Sequence, residues 1–219
     1  MRLFGPKKPS LASISLPDWS WDQKQKTKTM VQWVNPEFPM ALSINFFAKE
    51  PDLTTVQNVE ELRNYYRSQL TAQGGGILQV ELAKVQGLTA IKTLFKFPQQ
   101  PTGTMYLGSY TLPFEKYSYV LKLQGMELEP TGQRESLVAD ALIKQGKLVA
   151  NKQGEYPGWA SDPYEPDYEH TCLMNKAETI AYDLQFPNHP LSQVRTYMTK
   201  LGWEIKVDEV LNGLAPFPK

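Results

Sequence analysis

The stretch from Ile77 to Gln124 constrains this chain more than any other: four runs rich in alternating apolar residues are joined by connections a few residues long. Ile77-Leu78-Gln79-Val80-Glu81-Leu82 is the first. Residues 88–97, with Ile91, Leu94 and Phe95, are the second, and residues 104–112 and 117–123 complete the set. Gly87, Pro98, Pro101, Gly103 and Pro113 punctuate them. Parallel strands need a crossover of about a dozen residues or more. These connections are too short, so the runs must form a mainly antiparallel meander. Residues 30–34 and 40–47 read as two earlier strands, with Met40, Leu42, Ile44 and Phe46 on one half-buried face. A shorter strand is expected over Leu11, Ile14 and Leu16, closed by Pro17.

Helical spacing takes over between and after these strands. Val59, Leu62, Tyr66 and Leu70 line one face. Both Thr54 with Gln57 and Asn58 with Glu61 fit a capping box, leaving the start open by a turn. Gly74-Gly75-Gly76 ends this helix. A phosphate loop needs its glycines before a helix, not after one, so phosphate binding is not expected there. A second helix spans 133–144, with Leu137, Ala141 and in part Leu142 inward and Gly146 as its stop. Residues 176–185 read as a helix, and Pro190 opens another whose stripe is Leu191, Val194, Met198 and Leu201, with Gly202 as its stop. Residues 203–214 fit strand or helix equally. The expected fold is α+β: an antiparallel sheet with helices packed on it as an α/β/α sandwich, plus a C-terminal helical extension. Its expected divisions are a flexible lead-in over 1–10, the sheet domain over 11–150, and an aromatic loop with helical extension over 151–219 packed on the same domain.

Charge and cysteine content narrow the function classes. Lys+Arg and Asp+Glu both number 23, so the basic excess of a nucleic-acid binder is missing. Lys24, Lys26 and Lys28 alternate with polar residues, which reads as a solvated, protected strand edge. The single cysteine, Cys172, excludes an intramolecular disulfide and suits a reducing compartment. No run approaches the roughly 18 apolar residues of a membrane span. The N-terminal charge has no apolar run behind it, so no signal peptide is expected. A cytoplasmic location follows as the expectation.

Residues able to do chemistry are few. The Gly-x-Ser-x-Gly elbow, the Walker loop, His-Glu-x-x-His and Cys-x-x-Cys are all missing. With only His170 and His189, a site of several imidazoles is excluded, and neither a cofactor nor a metal is expected. The sharpest enzymatic reading pairs Cys172 as nucleophile with His170 as base, oriented by Asp162, Asp167 or Glu169. Against it, a lone cysteine commonly serves as a small buried hydrophobe. His189, at a helix start, reads as a cap. Glu127 and Glu129 read as solvated turn residues. For binding, Trp159, Tyr164 and Tyr168, with Tyr156 beside them, offer the rigid amphipathic contact area of interface hot spots; the alternative is that they pack the tail onto the sheet. Trp19 and Trp21, two apart on one strand face, form a second such group.

The order of elements from Leu11 to about Gln145 resembles the PsbP-like/DcrB-like superfamily, an α/β/α sandwich around an antiparallel sheet. The likeness rests on the strand through Ile44-Asn45-Phe46-Phe47, the helix from Val59 to Leu70, and the meander. Within the meander, Gly87-Leu88-Thr89-Ala90-Ile91-Lys92 and Tyr117-Ser118-Tyr119-Val120-Leu121 are similar to that family's strand-and-turn rhythm. Residues 182–195 resemble a segment near the end of some bacterial proteins. The resemblance implies a binding, assembly or adaptor role. A non-catalytic protein-interaction module of the bacterial cytoplasm, with another protein as partner, is therefore expected. The alternatives are a small hydrolase or transferase using Cys172 and His170, and a small-ligand carrier, which would need an apolar pocket between sheet and helix.

Overall fold

A computed structural model describes residues 8–219. Most of the lead-in expected over 1–10 lies outside the described residues. The chain runs through β1 (Ile14–Ser15), β2 (Asp22–Lys26), β3 (Met30–Val34) and β4 (Met40–Phe47) to α1 (Val59–Ala72). The meander follows as β5 (Gly76–Val85), β6 (Leu88–Pro98), β7 (Thr104–Pro113) and β8 (Ser118–Met126), then α2 (Gln133–Lys144). The tail holds β9 (Ala160–Ser161), β10 (Met174–Asn175), α3 (Pro190–Glu204) and β11 (Lys206–Val207).

Seven strands form one sheet in the order β2-β3-β4-β8-β7-β6-β5, with every pairing antiparallel. This is the expected α+β fold. Along β6 both faces of the sheet are buried: Ala90 and Leu94 enter one core and Ile91 and Phe95 the other. Leu62 and Leu70 of α1 pack on the Ile91 side. Leu191, Val194, Met198 and Leu201 of α3 pack on the Ala90 side. Two glycines let α3 lie close to β7 and β8. A Cβ at Gly108 would stand 2.9 Å from Val194 and Met198, and one at Gly125 would stand 2.9 Å from Val194 and 3.2 Å from the Pro190 carbonyl oxygen.

The helix ends follow local chemistry. Asn58 caps α1, its side chain accepting from the N–H groups of Glu60 and Glu61, so the later of the two possible starts is used. Gly74 takes φ +69°, and the Gly75 N–H returns to the Leu70 carbonyl to close the helix. Pro190 opens α3 behind a His189 cap. Gly202 does not stop α3; it lies inside the helix where the Tyr110 hydroxyl comes within 3.1 Å of the missing Cβ.

Several other elements differ from expectation. Leu11–Ser13 is a 3-10 turn, leaving only Ile14–Ser15 as strand, because β1 has just one short partner, β11. Trp203 ends in α3 and is 80% exposed, and residues 206–213 form β11 and a 3-10 turn rather than one continuous strand or helix. The inward stripe of α2 is Arg134, Val138 and Leu142, whereas Leu137 is 60% exposed. A buried arginine heads that stripe, and an apolar count misses its phase.

Arg134 also explains why 176–185 is not a helix. Its guanidinium is fully buried. Nε donates to the Ala177 carbonyl (2.7 Å), Nη1 to Ser192 Oγ (2.8 Å), and Nη2 to the Thr179 carbonyl (3.1 Å) and Asp183 Oδ1 (2.8 Å). Arg195 adds bonds to the Glu178 carbonyl (2.7 Å) and Asp183 Oδ1 (2.9 Å). The carbonyls of Ala177, Glu178 and Thr179 are therefore drawn to guanidinium groups instead of to N–H groups one helical turn on. The segment breaks into two 3-10 turns with Thr179 extended between them.

Removing one partner of a buried ion pair typically costs about 3–5 kcal/mol. Arg134→Ala is expected to lower folding stability by that order, and Arg134→Lys to recover only part of it, because an ammonium lacks the planar fork. Urea-unfolding midpoints check both.

Candidate functional site

Helix α3 covers β7 and β8 but not the β2–β4 flank of the same face. There the irregular segment from Ser10 to Trp21 crosses the sheet and leaves a groove of about 550 Å³. Its floor is apolar sheet: Val31 and Trp33 of β3, and Leu42 and Ile44 of β4, which are cross-strand partners. Ile14, Leu16, Trp19 and Trp21 wall it, and Lys26, Thr27 and Lys28 form part of its rim.

Trp19 and Trp21 do not sit on one strand; both precede β2. Ser20 between them takes φ +58°, with its N–H bonded to Asp18 Oδ1 (2.9 Å). This kink brings both rings against Tyr197 of α3, each with a centroid separation of 5.0 Å. Trp19 Nε1 also donates to Glu204 (2.8 Å). The wall is thus fastened to α3 through aromatic contacts of the kind worth about 0.5–1.5 kcal/mol beyond area burial. Tyr197 and Trp33, which lies in the strand expected over 30–34, are not among the contact residues the sequence singles out. Tyr197 lies beside the Val194–Met198–Leu201 stripe, and that spacing was the available signal.

The aromatic residues of the tail lie elsewhere. Trp159 packs on the small core of Val138, Leu142, Leu148 and Ala177. The Tyr164 hydroxyl accepts from the Val80 N–H on edge strand β5 (2.9 Å), and the Arg63 guanidinium stacks 3.6 Å over its ring. Arg63 Nε in turn donates to the Val80 carbonyl (3.3 Å). Tyr168 bonds Thr71 of α1 through its hydroxyl and lies under Arg67. Arg67 makes a two-point ion pair with buried Asp162, at 3.0 and 3.1 Å. Burial alone would raise the Asp162 carboxyl, but the bonds from Arg67 and the Tyr164 N–H hold it below its ordinary 3.8.

Cys172 and His170 are neighbours, but their contact is the Cys172 backbone N–H donating to His170 Nδ1 (3.2 Å). Burial pushes the thiol up, with Glu178 adding to the rise and Lys96 opposing it. Gly76 lies directly against this turn: a Cβ there would stand 1.9 Å from the Cys172 carbonyl oxygen.

A cluster invisible in the sequence joins Glu127, Glu135 and His189, whose side-chain ligand atoms lie within 4.8 Å of one another. Glu127 is not a solvated turn residue; its side chain is 6% exposed. His189 Nδ1 accepts from the Leu191 N–H (3.3 Å), and its Nε2 faces Glu127 Oε1 (3.3 Å). A metal on Nε2 would need its lone pair, would place the ring proton on Nδ1 and would abolish the cap. The arrangement opposes metal binding. Glu135 Oε2 is buried with no hydrogen-bond partner among the described residues. Burial, reinforced by Glu127 and Glu178, pushes the Glu135 carboxyl above its ordinary 4.5. Glu127 moves the other way: the bonds from His189 and the Gly132 N–H outweigh its burial.

Neither a protein-family model nor a curated protein sequence matches the chain. Among solved structures, it is similar in fold to the Saccharomyces cerevisiae Ran-binding protein Mog1p and to a point mutant of Mog1. In each case the identity is 10%, the TM-score is 0.45, and 91% of this chain and 93% of the other are covered. A protein of unknown function from Pseudomonas aeruginosa is similar over 63% of this chain and 89% of its own, with 13% identity and a TM-score of 0.34. Likenesses at these values say nothing of what the chain binds.

Two titrations follow. Cys172 is expected to react with a thiol reagent only as pH passes the free-thiol region of roughly 8.5; a reaction already fast near neutrality would restore the nucleophile reading. A carboxyl whose folded value lies above its unfolded one keeps its proton longer when folded, so stability falls as pH rises between the two. Glu135→Gln is therefore expected to gain stability over the parent as pH rises from 4.5, and to gain none below it. Urea midpoints across a pH series check the sign.

Proposed function

We propose that this chain is a non-catalytic protein-interaction module of the bacterial cytoplasm, and that its partner engages the tryptophan-lined groove beside β2–β4. One observation carries the reading: an apolar groove of about 550 Å³ whose lining includes Trp19, Trp21 and Trp33. Tryptophan supplies large, rigid contact area and is enriched among residues that dominate binding energy. The wall is held by Tyr197 before any partner arrives, so little ordering entropy is lost on binding. The balanced charge and single cysteine agree with a cytosolic module. The hydrolase or transferase reading loses support, because burial raises the Cys172 thiol rather than activating it.

A small-ligand carrier is the competing reading, and the groove's size favours it, since small-molecule sites span roughly 300–1,000 Å³. That reading expects a pocket between sheet and helix, whereas this groove lies beside α3 under the Ser10–Trp21 segment, and a smaller cavity of about 340 Å³ lies between β5–β6 and α3. A displayed library of short random peptides, panned on the full chain and counter-selected against Trp21→Ala, separates the two. Recovery of a shared apolar motif that fails to bind Trp21→Ala is the expected result. Recovery of no motif would overturn the protein-interaction reading in favour of the carrier.

A further inference from the structure

The groove's rim is electrically lopsided. Lys26 and Lys28 both line it and both are exposed. Among the described residues neither takes part in an ion pair, whereas Lys24, outside the lining, is paired with Asp22. The lining's acidic residue, Asp18, already accepts from the Ser20 N–H. Lys26 stands opposite Val31 on the neighbouring strand, so its side chain rises on the same face as the groove's floor. The apolar floor and tryptophan wall provide contact area, and the rim carries two lysines that have no ion pair among the described residues.

We infer that the groove takes an acidic protein segment: its apolar side chains fill the space lined by Trp19, Trp21 and Trp33, and its carboxylates meet Lys26 and Lys28. The inference rests on the groove being the interaction site, and it adds the chemistry of the partner. Charge complementarity of this kind raises the on-rate and selects among partners more than it deepens affinity. Simple addition of a strand to β2 does not fit, because the register shift between Gln23 and Gln25 breaks that edge and lysines line it. The segment therefore engages the face of the sheet at its β2–β4 flank.

The test uses peptides recovered by panning the full chain, measured by titration against the parent and the double variant Lys26→Glu/Lys28→Glu. Both lysines are exposed, so the variant is expected to keep the parent's urea midpoint. Recovered peptides should carry Asp or Glu beside their apolar residues. Their affinity should fall about tenfold or more in the double variant and weaken as salt rises. A peptide with those acidic residues changed to Lys should bind the double variant better than it binds the parent. Peptides that bind through Trp21 but are neutral, or are indifferent to the lysine reversal, would overturn this inference and leave the interaction reading standing. If no peptide is recovered and dodecanoate instead shifts the tryptophan fluorescence, both readings fall and a small anionic ligand replaces them.

Discussion

A sheet of seven strands, spaced by about 4.8 Å, is roughly 29 Å across. A helix with its side chains covers about 10–12 Å of that width. One helix per face cannot cover the sheet, and much else in this molecule answers that shortfall. On the α3 face the helix takes the middle, lowered onto Gly108 and Gly125. One flank is left to the segment from Ser10 to Trp21, whose irregular backbone cannot pack as closely as a helix. The groove is the consequence. On the opposite face α1 covers β5 and β6, and the aromatic loop of the tail reaches across to strengthen that edge.

Long side chains that act at a distance do the remaining fastening. Arg134 joins α2 to the tail and to α3, Arg67 joins α1 to Asp162, and Lys96 joins β6 to Glu178 at 2.7 Å. Each is buried or nearly so, and each is met by a carboxylate, as burial of a charge demands. Buried pairs of this kind often confer no more net stability than apolar residues of similar volume, yet here Arg134 and Arg195 dictate where the carbonyls of 177–179 go. The tail from residue 151 carries little regular structure before α3, and these contacts position it.

The legible parts of the fold were those set by local spacing. The meander, the bounds of α2 and the stripe of α3 depend on periods of two or of three to four residues, together with glycine, proline and asparagine at the ends. The parts that escaped were decided by partners far away in the chain. The helix expected over 176–185 was undone by Arg134 and Arg195, which claim its carbonyls. The phase of α2 was hidden because a buried arginine scores as polar. Trp19 and Trp21 stand out by residue type, but their stacking on Tyr197, which depends on the positive φ of Ser20, does not. Glu127 and His189 meet across 62 residues of sequence, and no spacing rule reaches that far.

The plug on β5 has a meaning in time as well as in space. Val80 lies 84 residues before Tyr164, the side chain that occupies its outward N–H. At about 5–20 residues per second, a ribosome takes roughly 4–17 s to travel from one to the other. For that interval the outward N–H of Val80 lacks its tail hydroxyl, although Arg63 of α1 is already there to meet the Val80 carbonyl. Until Tyr164 is made, that N–H is open to pairing with a neighbouring chain on the same messenger.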